Sequence, residues 1–132
     1  MKFISFNHDN SEKFGIIENN LITDLTGKID GASSLKELIK IKKIKEAKEY
    51  TKSNPGSIKP DQIEYSPLIP NPGKIICVGL NYSEHVKETN RTVEENPVIF
   101  HRFPESQTAH MQAIQRPTVS ESLDFEGEMA VI

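Results

Sequence analysis

Lys74-Ile75-Ile76-Cys77-Val78-Gly79-Leu80-Asn81-Tyr82, continuing into Ser83-Glu84-His85-Val86-Lys87-Glu88, is the stretch on which the fold reading turns. Lys74 to Val78 is apolar on both alternating faces. A strand of that kind must be covered on both sides, so it is expected at the centre of a sheet. Gly79 ends the run, and a helical pattern begins around Tyr82. His85 and Glu88 are spaced to share one helix face. The carboxylate can then accept from one imidazole nitrogen while the other nitrogen is offered to water or substrate, which is the arrangement of an oriented general base. An exposed pair on a solvated helix has the same spacing. Cys77 is the sole cysteine, so an intrachain disulfide is excluded, and within the apolar run it reads as a small buried hydrophobe.

Downstream, Pro97 to Phe100 is a second strand candidate, and Leu123 to Ile132 a third. The last contains Asp124-Phe125-Glu126-Gly127-Glu128. On a strand Glu126 and Glu128 point the same way, and two carboxylates side by side near apolar surface are costly unless a cation or hydrogen bonds compensate. A hard divalent ion such as Mg²⁺, Mn²⁺ or Ca²⁺ is the natural partner for such oxygen donors. Gly127 between them permits close approach of backbone or ligand. A solvent-facing edge carrying two unremarkable glutamates fits the spacing equally. The run reaches Ile132 without a turn signal, so its ladder partners are expected outside this sequence.

Upstream, Phe3-Ile4-Phe6, Phe14 to Ile17 and Leu21-Ile22-Leu25 are short apolar stretches separated by the polar run Asn7 to Lys13 and by Asn19-Asn20. Asparagine tolerates the positive φ of a tight turn, so a β-meander is expected. Ser34-Leu35-Lys36-Glu37 fits a capping box, and Leu35, Leu38, Ile39, Ile41 and Ile44 follow at helical spacing. Pro55, Pro60, Pro67, Pro70 and Pro72 then crowd a linker with a short extended piece at Ile63 to Tyr65. The expected division is a small N-terminal α+β domain over 1–66 and a second region over 67–132.

Composition removes several function classes. Seven lysines fall between Lys36 and Lys52, but glutamates are interleaved and the whole chain carries a formal charge of −3. A solvated helix face is the better reading than a nucleic-acid patch. The first residues lack an apolar stretch of signal-peptide length, and no run approaches a membrane span, so the expectation is a cytoplasmic protein with no membrane or nucleic-acid partner.

Taken in order, the blocks resemble the fumarylacetoacetate hydrolase family. Lys74 to Tyr82 with His85 and Glu88 is similar to that family's strand-loop-helix, and Pro97 to Pro104 with Ser106 to its next block. Val119 to Glu128 is similar to its metal-binding strand, and the first sixty-odd residues to the small domain that precedes the catalytic region in many bacterial members.

The resemblance implies an α+β, β-rich fold: a β-meander plus helix, then the first part of a mixed β-roll catalytic domain. It implies an enzyme acting on 2-oxo acids or β-dicarbonyl compounds by C–C hydrolysis, decarboxylation or isomerisation, and a homodimer. Glu126 and Glu128 would ligate Mg²⁺ or a similar ion, and His85, held by Glu88, would move a proton. Arg102, Asn81 and Tyr82 would bind substrate; many relatives carry lysine where Arg102 stands, and arginine keeps the charge but cannot donate a proton near neutral pH. The Ala109-His110-Met111 loop lacks the glycines expected there. A third acidic ligand and a catalytic lysine would lie beyond Ile132, so the rival expectation is an inactive remnant or one piece of a split protein.

Overall fold

The computed structural model describes residues 1–82, 86–87, 96–124 and 127–132. Strands β1 (Lys2–His8), β2 (Ser11–Glu18) and β3 (Leu21–Asp24) form the expected meander. Both of its turns are two residues long with positive φ throughout: Asp9 (52°) and Asn10 (56°), then Asn19 (51°) and Asn20 (61°). That geometry matches the right-handed twist of the flanking strands, and asparagine and aspartate tolerate it well. The first turn is thus tighter than the polar run Asn7 to Lys13 suggested, because polar side chains on either side of Asp9-Asn10 still join the ladder.

The tight turns set the register, and register sets the faces. Phe3 lies opposite Ile16 and Ser5 opposite Phe14, so these four share one side of the sheet. Onto that side fold helices α1 (Leu35–Lys40) and α2 (Ile44–Ser53). The core there joins Phe14, Ile16, Leu25, Ile29, Leu35 and Leu38. The Ser34 Oγ accepts from the Glu37 amide at 3.2 Å, which satisfies one free donor of the first turn.

The expected stripe through Ile41 and Ile44 is not one continuous helix. Lys42 takes φ 60° and separates α1 from α2. Its amide bonds Ile39 O at 3.0 Å and the Lys43 amide bonds Leu38 O at 3.1 Å, the paired closure of a Schellman cap. Ile41 and Ile44 still pack against the core, one from each side of the break. Lysines on these helices face glutamates one turn away: Lys40–Glu37, Lys43–Glu46 and Lys52–Glu49 at 3.4, 3.3 and 2.8 Å. This is the solvated face expected from the interleaved charges.

Strand β4 (Glu64–Ser66) pairs antiparallel with β1, giving the sheet order β3-β2-β1-β4. The other face of this sheet carries Phe6, whose cross-strand neighbour is Tyr65. His110 meets the Tyr65 ring edge-on, with centroids 5.0 Å apart, and Gln112 Nε2 donates to Tyr65 O at 3.3 Å. The chain from 107 to 112 is therefore docked on β4, and His110 serves this contact. Met111 there has φ 65°, a left-handed position that supplies the reversal for which glycines were expected.

A separate two-stranded sheet holds β5 (Ile75–Gly79) and β6 (Val98–Arg102). Here two expectations are corrected. β5 is not central, since β6 is its one ladder partner among the described residues, and Ile76 and Ile99 on one face are 63% and 56% exposed. Leu123 to Ile132 is not a strand in its described residues, 123–124 and 127–132, which carry no regular structure. Alternating apolar residues report a propensity, but a strand forms only where a neighbouring backbone completes its hydrogen bonds.

Two outcomes are expected. Replacing Lys42 with glycine should raise stability by about 1 kcal/mol in urea unfolding, since an L-side chain in the left-handed region costs roughly that much. The second concerns Asp24. Burial pushes its carboxyl up, but Lys13 Nζ at 2.9 Å, the Thr26 amide at 2.8 Å and the lysine charge outweigh this and hold it below the usual carboxylate range. A depressed folded value means that Asp24 stabilises fully above the ordinary carboxylate pKa and loses that contribution as pH falls through the lowered one. Melting curves of Asp24→Asn should therefore show a shallower acid-side decline than the parent.

Candidate active site

Of the residues singled out by sequence, Asn81, Tyr82 and Glu128 lie towards one end of the β5–β6 ribbon. At that end Gly79 lies opposite Val98, and Leu80 follows with φ 54°. A leucine in the left-handed region is strained by about 1–3 kcal/mol, and such strain is retained where the surroundings fix it. The reversal delivers Asn81 and Tyr82 to the surface just past the strand, with both side chains exposed. The amide of Val86 bonds Tyr82 O at 3.1 Å, and Val86 and Lys87 are helical. Val86 is buried.

A small concavity of about 120 Å³ opens beside this loop, lined by Gly79, Leu80, Asn81, Asn96, Pro97 and Val98. Its polar side chains are the two amides, each able to donate and accept. That volume suits a carboxylate or a few waters rather than a large ligand.

The hydroxyl of Tyr82 donates to the carbonyl oxygen of Gly127 at 3.1 Å. This bond spans 45 residues and joins the loop after β5 to the segment that carries Glu128. The carboxylate of Glu128 is exposed there. No sequence signal announced the contact, because neither the tyrosine nor the glycine has a periodicity pointing at the other.

Arg102 is placed differently. It lies opposite Ile75, at the far end of the ribbon from Gly79 and Val98. Four residues of strand separate the two ends, roughly 13 Å of rise. Its guanidinium Nε reaches Ser106 Oγ at 3.4 Å, and Ser106 in turn donates to Phe103 O at 2.7 Å. The structure thus brings Asn81, Tyr82 and Gly127-Glu128 to one end of the ribbon and leaves Arg102 at the other. His101 stacks edge-on against Phe103 at 5.3 Å. His8 belongs to the first hairpin, with Nδ1 3.1 Å from Asp9 Oδ2.

His85, Glu88 and Glu126 lie outside the described residues. Among the described residues, no three His, Cys, Asp or Glu side chains gather into a set that could hold a metal ion. Glu128 is an oxygen donor of the kind a hard divalent cation takes, but a single carboxylate is a partial ligand set. No helix among the described residues is long and apolar enough to cross a membrane.

Comparison with known proteins supplies the context. The family model for the fumarylacetoacetate (FAA) hydrolase C-terminal region matches residues 74–132. The mitochondrial oxaloacetate tautomerase Fahd2a of Rattus norvegicus is 41% identical over 71 residues, covering 54% of this chain and 23% of that protein. The mitochondrial oxaloacetate tautomerase fahd2 of Xenopus laevis is 36% identical over 86 residues, covering 65% of this chain and 27% of that protein. The chain therefore spans about a quarter of the length of these relatives. Among solved structures, that of a protein assigned as HpcE from Mycobacterium smegmatis superposes with a TM-score of 0.65 at 20% identity, over 86% of this chain and 40% of that one. At that identity the likeness speaks for the fold, which is α+β and rich in strands. Over residues 74–132 the family match, the motif order and the relatives agree, and this region of the chain belongs to the fumarylacetoacetate hydrolase family.

Proposed function

We propose that the chain carries part of the active site of an isomerase acting on a small 2-oxo acid, with oxaloacetate as the substrate to test first. The observation that carries the reading is the Tyr82–Gly127 hydrogen bond, which joins the loop leading to His85 with the segment of Glu126 and Glu128. The relatives named as oxaloacetate tautomerases support keto–enol interconversion, among hydrolysis, decarboxylation and isomerisation, as the reaction to propose.

The roles follow from what that reaction needs. The proton on the carbon next to the oxo group must be removed, and the same proton or another must reach the oxo oxygen. In this reading His85 would take the carbon-bound proton and return it to oxygen, with Glu88 in the role of its orienting carboxylate, so the charge on the substrate is transient and the atoms balance. Asn81 lies at the concavity, where its amide can orient a substrate carboxylate. Arg102 attracts an anionic substrate from the far end of the ribbon through its permanent charge. Glu126 and Glu128 would hold a divalent ion, Mg²⁺, Mn²⁺ or Ca²⁺, which when bound polarises the oxo group and stabilises negative charge on its oxygen. A homodimer is part of this reading, as is a further acidic ligand from outside residues 1–132.

Keto–enol conversion of oxaloacetate can be followed by ultraviolet absorbance with and without each ion, in the parent, His85→Ala and Glu128→Gln. Loss of a positioned proton-transfer group should lower the rate by about 10²–10⁴-fold. A parent rate that survives both substitutions would overturn the site assignment. A folded parent with no rate above buffer with any of the three ions would favour the rival reading of an inactive remnant or one piece of a split enzyme.

A further inference from the structure

From the geometry after β5 we infer that Tyr82 is a positioning residue, which holds the Gly127–Glu128 peptide and thereby sets where the Glu128 carboxylate is presented. The inference rests on the proposed role of Glu128 as a cation ligand and adds to it the device that orients that ligand.

Three features lead to it. The first is how little burial holds the described residues of the segment. Met129, Val131 and Ile132 are 88%, 91% and 63% exposed, so burial does little to fix this stretch. Apart from its chain neighbours, no described residue lies within 4 Å of where a side chain at Gly127 would begin. The second is the chemistry of the acceptor. The Tyr82 hydroxyl bonds the main-chain carbonyl of Gly127 at 3.1 Å. That carbonyl shares a rigid plane with the Glu128 amide and with both flanking Cα atoms. One hydrogen bond to the oxygen therefore limits the position of the Glu128 Cα, from which its carboxylate is projected.

The third feature is that the donor is itself set in place. Leu80 at φ 54° turns the chain out of β5 two residues before Tyr82, and the Tyr82 carbonyl accepts from the buried Val86. The tyrosine backbone is thus held on both sides while its ring remains half exposed. A phenol is suited to this work, because its ring has only two rotatable side-chain bonds and its hydroxyl carries a single donated proton. Phenylalanine would keep the ring and remove only the bond.

The bond is exposed, so its effect should be modest and readable as a population. Losing it should reduce the fraction of molecules with Glu128 correctly placed, and so weaken cation binding by about threefold to tenfold. The test measures Mn²⁺ binding by electron paramagnetic resonance and amide hydrogen exchange at residues 127–131 without metal. It compares the parent, Tyr82→Phe and Glu128→Gln, with thermal melting of each as the control for folding. The expected result is faster exchange and threefold to tenfold weaker Mn²⁺ binding in Tyr82→Phe, an unchanged melting temperature, and a larger loss of binding in Glu128→Gln. Parent-like exchange and parent-like Mn²⁺ affinity in Tyr82→Phe, beside a clear loss in Glu128→Gln, would overturn the positioning role while leaving the ligand role intact. Parent-like affinity in Glu128→Gln would instead overturn the ligand reading, and hydrogen exchange in Tyr82→Phe would then decide the tether alone.

Discussion

A β-strand is held by the backbone beside it, and the supply of such backbone governs every part of this molecule. In the N-terminal half the supply is local. The two-residue turns at Asp9-Asn10 and Asn19-Asn20 fold each strand back on its predecessor, so seven residues of β1 meet seven of β2 in register. β4 then closes on the free side of β1, and the helices cover the face defined by Phe14 and Ile16. Within the β1-β2-β3 meander each donor and acceptor finds its partner a short distance along the chain, which keeps the cost of loop closure low, and only β4 joins from far along the sequence.

The second half obeys the same rule with fewer partners. β5 and β6 satisfy one edge of each other, and apolar side chains on both faces of the ribbon stay partly in water. Ile76, Val78, Ile99 and Phe100 are suited to a sheet covered on both sides. The segment around Glu128 has a strand-like sequence, its described residues carry no regular structure, and a side-chain bond from Tyr82 reaches it at Gly127. The two sheets are linked by the chain from 107 to 112, where Gln107, His110 and Gln112 contact Ile69, Tyr65 and Glu64.

The chemistry of the candidate site follows from the ribbon's geometry. A strained reversal at Leu80 places Asn81 and Tyr82 at one end, and the carbonyl of Gly127 comes to meet them. Strain of this kind is tolerated where a sharp, fixed change of direction has a use. Arg102 at the opposite end is too far along the strand to share a contact with Asn81, so its charge acts on approach rather than in a common hydrogen-bond set.

By itself the sequence determined the local structure. The meander, the asparagine turn, the Ser34 cap and the strand candidates at Lys74 and Pro97 could be read directly, because turns, caps and periodicity depend on residues near one another in the chain. It also determined the order of motifs that marks the family. Tertiary structure alone decided what depends on distant partners. That β5 has β6 as its one ladder partner among the described residues, that Leu123 to Ile132 forms no strand in its described residues, and that Tyr82 reaches Gly127 all turn on which backbone lies alongside. A pattern of side chains states a preference for a ladder or a bond. Whether a partner meets it is settled only when the chain folds.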